Sequence, residues 1–168
     1  MSLTKLVKGN TIYLSLGSNL GDKRMHLTRA QDVIGKQVGD LLRTSRIYQS
    51  EAWGYSSAHS FYNCSLSVQT LLEPLALLDA LMSIEKSQGR IRIEGAYADR
   101  VIDIDLLFYG DTIMEHPRLS LPHPAMGKRR FVLEPLAEIA PDLVHPLFGL
   151  TIRDMLEHCP DKAMVIPL

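Results

Sequence analysis

Two cysteines in 168 residues, Cys64 and Cys159, are too few for a disulfide framework, and neither has zinc-site spacing. No apolar run approaches the ~20 residues that cross a bilayer, and the N-terminus lacks an apolar secretion segment. The glycosylation pattern Asn63-Cys64-Ser65 therefore carries no weight. A charge excess is missing too. Eighteen Lys and Arg against 19 Asp and Glu leave a net charge of −1, which argues against a general nucleic-acid or membrane-surface binder. There is no G-x-x-x-x-G-K-[ST] loop, no protein-kinase signature set and no G-x-G-x-x-G fingerprint. A nucleotide would have to be held by a hard cation and arginines instead. Nor is there an internal repeat, a low-complexity tract or a linker. With 46% apolar residues, the chain is expected to form one domain over residues 1–168, with 1–10 as a loose leader, in the reducing cytoplasm.

What is present follows two periods. Residues 11–16 alternate, with Ile12, Leu14 and Leu16 on one face, and run into Gly17-Ser18-Asn19-Leu20-Gly21-Asp22, a turn rich in helix-start residues. Leu27, Ala30, Ile34 and Val38 then recur at helical spacing until Gly39. Residues 41–49 predict a second strand and 50–60 a polar loop with the only tryptophan, Trp53. Residues 61–71 predict a third strand, with Tyr62, Cys64, Leu66 and Val68 opposite Phe61, Asn63, Ser65 and Ser67. Glu73-Pro74 opens a helix carrying Leu77, Leu78, Leu81 and Ile84, which ends at Gly89. Residues 90–99 read as a flexible loop, 112–121 as an extended excursion closed by Pro122-His123-Pro124. A helix interrupted by Pro135 is expected over 130–139, and a short one over 152–158. The element order predicts a ferredoxin-like β-α-β-β-α-β sandwich of the α+β class, with both helices on one sheet face, the other face open, and C-terminal additions.

Arg100-Val101-Ile102-Asp103-Ile104-Asp105-Leu106-Leu107-Phe108-Tyr109 carries the chemistry. Strand alternation places Ile102, Ile104, Leu106 and Phe108 on one face and Asp103 and Asp105 together on the other. Aspartate is a poor strand former, so two within one strand need a reason. They either hold a cation such as Mg²⁺ or form a solvated polar face. Beside them on the open face fall Phe61, which either stacks on a ring or packs the 50–60 loop, and Asn63, whose amide suits a heterocycle with a mixed edge. Glu85 lies on the edge of its helix's apolar stripe, either pairing with an arginine at the rim or binding a ligand. His123 is held between prolines, suited to donate to a phosphate or to play a structural part. Lys128-Arg129-Arg130 is either a solvated run or a phosphate clamp.

Taken together, Leu16-Gly17-Ser18-Asn19-Leu20-Gly21-Asp22, Phe61-Tyr62-Asn63, Glu85 with Gln88-Gly89-Arg90-Ile91-Arg92, Arg100 through Leu107, and Leu121-Pro122-His123-Pro124 with Arg129 and Phe131 resemble the 6-hydroxymethyl-7,8-dihydropterin pyrophosphokinase family of folate biosynthesis. The likeness runs over roughly residues 11–160. It implies transfer of pyrophosphate from ATP to the pterin hydroxymethyl group, with release of AMP. Asp103 and Asp105 would hold two Mg²⁺ ions. Ser50, Trp53, Phe61, Asn63 and Phe131 would form the pterin pocket. Glu85, Arg92, His123 and Arg129 would bind ATP, and Arg90 and Arg100 would arrive with their loops to stabilise developing charge. A monomer with small-molecule substrates, no nucleic acid and no membrane contact is implied.

The chain departs from the family's commonest pattern in both loops. Ala96-Tyr97-Ala98-Asp99 stands where many members have Arg-Trp-Gly-Pro, and Ala52 stands where proline is usual. Two other readings compete: a non-catalytic ferredoxin-like nucleotide sensor and a metal-dependent phosphodiesterase.

Overall fold

The alternation of Ile12, Leu14 and Leu16 builds β1 (Asn10–Ser18), which is hydrogen-bonded on both edges in a six-stranded antiparallel sheet. The computed structural model describes residues 8–168. Of the expected leader, residues 1–7 lie outside the described residues, and Asn10 already belongs to β1.

Asp22 caps α1 (Lys23–Gln37) by accepting from the Met25 backbone N–H at 3.0 Å, and Leu27, Ala30 and Ile34 form its buried stripe. The expected strand over 41–49 is divided into β2 (Gly39–Thr44) and β3 (Tyr48–Ser50), both paired with β4 (Phe61–Thr70). Ser45 makes the break. Its Oγ accepts from Ser65 N at 2.9 Å, where a ladder carbonyl would otherwise stand, and donates to Arg46 O at 2.7 Å. Pro74 opens α2 (Pro74–Ser87), which buries Leu77, Leu81, Ile84 and Glu85. The two helices close over one sheet face on a core of Ile12, Leu14, Leu16, Cys64, Leu66 and Val68.

The strand β5 (Asp103–Tyr109) pairs antiparallel with the other edge of β1. One expectation fails there. Leu14 faces Leu106 but Tyr13 faces Phe108, so Leu107 is an extra residue in a β-bulge. The bulge reverses the alternation. Phe108 leaves the face of Ile102, Ile104 and Leu106 and joins Leu107 in a second core on the opposite side, edge-on to Tyr13 at 6.1 Å.

That second core also corrects the expectation of an open face. A short hairpin, β6 (Met114–His116) and β7 (Leu119–Leu121), occupies the 112–121 excursion and tucks Leu119 and Leu121 into the first core. The chain then turns to α3 (Arg130–Ile139) and α4 (Ile152–Glu157), which bury Val132, Leu133, Leu136, Ile139, Ile152 and Met155 against Leu107 and Phe108. α3 lies against β4, where the small Ser65 and Ser67 permit close approach. Pro135 does not interrupt α3: it removes one backbone bond, and the buried residues around it hold the helix. A last strand, β8 (Val165–Pro167), pairs with β3 and was not expected. The uncovered part of the sheet is thus its end at Gly17, Asn63 and Asp103.

Candidate active site

Three strands supply the floor. Register pairs Gly17 of β1 with Asn63 of β4 on one side and with Asp103 of β5 on the other, and Ser15 with Asp105. The row Asn63–Gly17–Asp103 therefore crosses the sheet at the ~4.8 Å strand spacing. A Cβ on Gly17 would stand 3.2 Å from Asn63 Oδ1 and 3.6 Å from the Phe61 ring, so glycine keeps the floor flat. Above it lies a cavity of about 440 Å³. Ser50, Trp53, Phe61, Asn63, Arg90, Arg92, Arg100, Asp103, Asp105, His123, Arg129 and Phe131 all line it, bringing together residues that span 82 positions of sequence. Glu85 does not line it. It lines a second cavity that shares Arg90 and Arg92 with the first.

Opposed charges dominate. Asp103 accepts from Arg90 Nη1 at 2.5 Å and from Arg100 Nη2 at 3.1 Å, one arginine on each oxygen. Burial alone would push the Asp103 carboxyl up, but Arg100 and Arg90 outweigh it and hold it below the ordinary carboxylate range. Asp105 has only Arg129, 3.8 Å away. Burial first, and then the charge of Asp103, push its carboxyl up to about 7.

Glu85 is 2% exposed, so it is no rim residue. Its Oε2 meets Arg92 Nη2 at 2.7 Å and Arg90 Nη1 at 2.9 Å, and its Oε1 accepts from Ile104 N at 2.9 Å. Burial raises its pKa, against the pull of Arg90. The helix thus fixes Arg90 and Arg92 of the 90–100 loop and the start of the aspartate strand from one carboxylate.

His123 Nδ1 accepts from Ala125 N at 3.1 Å, which leaves Nε2 as the N–H donor of the neutral ring. Burial foremost, with Arg129 adding to it, lowers its pKa to about 4. Of the run Lys128-Arg129-Arg130, only Arg129 reaches the cavity, and Arg130 pairs with Glu134 at 2.9 Å. Arg129 lies over the Trp53 ring at 4.8 Å and Arg100 over Phe61 at 5.0 Å. Asn63 Nδ2 donates to Ser50 Oγ at 2.8 Å.

Several residues that shape the site were given no role in it by the sequence. Asn19 is buried in the turn after β1. Its Oδ1 accepts from Arg100 N at 2.8 Å while its N–H donates to Arg100 O at 3.1 Å, fixing the main chain of a site arginine. The sequence placed Asn19 in a helix-start turn and in a motif of the family resemblance, but gave its side chain no role in the site. Tyr97 and Asp99 also line the cavity. They occupy the stretch that departs from the common pattern.

Arginines converging on two neighbouring carboxylates, at the uncovered end of an antiparallel sheet backed by helices, define the class: an α+β enzyme that handles phosphate groups. A family model for 7,8-dihydro-6-hydroxymethylpterin-pyrophosphokinase (HPPK) matches residues 13–141. The chain is 43% identical over 138 residues to the 2-amino-4-hydroxy-6-hydroxymethyldihydropteridine pyrophosphokinase of Porphyromonas gingivalis, an alignment covering 80% of this chain and 93% of that one. It is 35% identical over 144 residues to the corresponding protein of Aquifex aeolicus, covering 86% and 89%. The folic acid synthesis protein fol1 of Pneumocystis carinii is 38% identical over 155 residues; this chain spans only 21% of its length. Among solved structures, Plasmodium falciparum HPPK-DHPS, wild type with pteroate, superposes with a TM-score of 0.73 at 17% identity, covering 89% of this chain and 44% of that one. The last comparison bears on the fold alone. The chain belongs to the HPPK family and is a pyrophosphokinase.

Proposed function

We propose that this protein transfers the pyrophosphoryl group of ATP to the hydroxymethyl oxygen of 6-hydroxymethyl-7,8-dihydropterin in folate synthesis. The hydroxymethyl oxygen attacks the β-phosphorus and loses its proton. The bond from that phosphorus to the α–β bridging oxygen breaks, and AMP leaves. The observation that carries this reading is the row Asn63–Gly17–Asp103, which sets a heterocycle-reading amide beside a carboxylate pair ringed by arginines.

Asn63 reads the pterin edge, with Phe61 and Phe131 on the ring faces and Ser50 and Trp53 closing the pocket. Arg92, Arg129 and His123 Nε2–H meet the phosphates of ATP, and Glu85 holds Arg90 and Arg92 at the nucleotide side. Arg100 Nε and Arg129 Nε are buried without partners among the described residues, which supports an anionic occupant. Two Mg²⁺ fit Asp103 and Asp105 on chemical grounds. A buried carboxyl drawn up to about 7 beside a second carboxylate is a place that a divalent cation satisfies. No cluster of three or more His, Cys, Asp or Glu occurs among the described residues, so phosphate and water would complete the coordination. When bound, Mg²⁺ supplies neutralisation of phosphate charge. Arg90 and Arg100, now on Asp103, would then be released toward the transferring group.

The same reading takes the chain as one ferredoxin-like domain acting as a cytoplasmic monomer. Its two buried, unpaired thiols accord with a reducing compartment, and no helix among the described residues is long and apolar enough to cross a membrane.

Product analysis tests the reaction. Protein mixed with ATP, Mg²⁺ and 6-hydroxymethyl-7,8-dihydropterin should yield AMP and pterin pyrophosphate in equal amounts. Binding of both ligands without AMP would make the protein a sensor instead, and ATP loss without the pterin would point to a hydrolase.

A further inference from the structure

Asp99 is joined to two separate parts of the chain, the turn at Asn19 and the 51–60 loop, through a single oxygen. Its Oδ1 accepts from Ser57 Oγ at 2.6 Å, Asn19 Nδ2 at 2.8 Å and Tyr55 OH at 2.9 Å. Hydrogen bonds from Ser57 and Asn19, above all, lower its pKa, so it is ionised at neutral pH and these are charge-assisted bonds. Two residues earlier, Tyr97 sits edge-on to Trp53 at 6.1 Å and stacks on Tyr55 at 6.3 Å. Gly54, at φ +79°, passes the Tyr97 ring where a Cβ would lie 3.4 Å away. The 51–60 and 90–100 loops, 40 residues apart in sequence, are therefore locked together over the cavity by a carboxylate and an aromatic cluster. Asn19 completes the linkage, since the side chain that donates to Asp99 also accepts from Arg100 N.

We propose that Asp99 is a positioning residue that makes the two loops a single lid, setting Trp53 over the pterin pocket and, through Asn19, fixing the main chain of Arg100 beside it. This rests on the pterin-site reading above. With the latch intact, the loops already hold the binding-competent arrangement. Without it, that arrangement is one of several, and apparent affinity falls by the fraction populated. The latch touches the pterin wall through Trp53, and on the nucleotide side it meets Arg129 alone, which donates to Tyr97 OH at 3.4 Å and lies over Trp53 at 4.8 Å, whereas Arg92 and His123 make no bond to Asp99 or its donors. Pterin binding should suffer more than ATP binding.

Trp53 is the only tryptophan, so its fluorescence reports the lid directly. Asp99→Ala should increase acrylamide quenching of Trp53 in the free protein. It should weaken 6-hydroxymethyl-7,8-dihydropterin binding about tenfold, and ATP binding less than about threefold, by calorimetry. Asp99→Asn, which keeps an acceptor oxygen but not the charge, should fall between, and Ser57→Ala should act in the same direction more weakly. Adding Ser57→Ala to Asp99→Ala should change nothing further. Trp53 quenching that is unchanged in both Asp99→Ala and Ser57→Ala overturns the latch, as does an equal loss of affinity for both ligands. Quenching is read without ligand. A wild-type protein that makes no AMP would sink the catalytic reading while leaving the latch to be decided by Trp53.

Discussion

Asp105→Asn should stabilise the ligand-free protein at alkaline pH while removing its activity. In the fold, burial and the charge of Asp103 push the Asp105 carboxyl from 3.8 up to about 7. Because the folded state holds this proton more tightly than the unfolded chain, the group costs nothing near pH 4. The cost grows as pH rises from there toward 7 and is complete above it. The span from 3.8 to about 7 corresponds to ~4 kcal/mol at full strength. The side chain retains 30% exposure, and its replacement takes from Arg129 its carboxylate partner at 3.8 Å. Solvent screening and that loss reduce the expected gain to ~2 kcal/mol at pH 8. Urea unfolding of both proteins with chelator present, at pH 4 and pH 8, measures it. The variant should be more stable at pH 8, by a margin that shrinks toward zero at pH 4, and its turnover should fall at least ~10³-fold through lost electrostatic stabilisation. A variant no more stable than wild type at pH 8, or equally stabilised at both pH values, would refute the account of Asp105 as a buried charge kept for function.

Phe131→Ala should weaken pterin binding roughly 30-fold through loss of an aromatic face, and ATP binding far less; equal losses by calorimetry would count against stacking. His123 should stay neutral with its proton on Nε2 down to about pH 5, since its pKa is lowered to about 4. Holding it neutral should cost stability as pH falls below its ordinary value near 6.5, because the unfolded chain takes up the proton first. Nitrogen-15 spectra showing a charged ring at pH 6 would overturn that assignment.

Much of the frame was legible because period and burial coincide. Leu27, Ala30 and Ile34 predict α1 and are its buried residues. The alternation of Cys64, Leu66 and Val68 predicts β4 and the side it turns to the core beneath α1 and α2. Where the reading failed, a local event invisible to periodicity intervened. The hydroxyl of Ser45 divides one expected strand, and the bulge at Leu107 carries Phe108 to the other face. α3 then covers a face expected to be open because Leu107, Phe108 and its own apolar residues need each other.

The sequence by itself pointed to Asp103 and Asp105 sharing a face, because an unbroken strand alternates, and the bulge at Leu107 falls after both of them. It also determined which arginines, aromatics and amide were candidates. Only the tertiary structure decided what those residues meet. Asn63, Gly17 and Asp103 become neighbours through the register of three strands, and Glu85 is a buried clamp on two arginines because α2 lies across the start of β5. Asp99 reads in the chain as a departure from the family's pattern in an aperiodic loop, with nothing to say what it meets. Its three donors come from two segments 40 or more residues away, and the cost of leaving such groups unpaired is set in space, where no linear pattern records it.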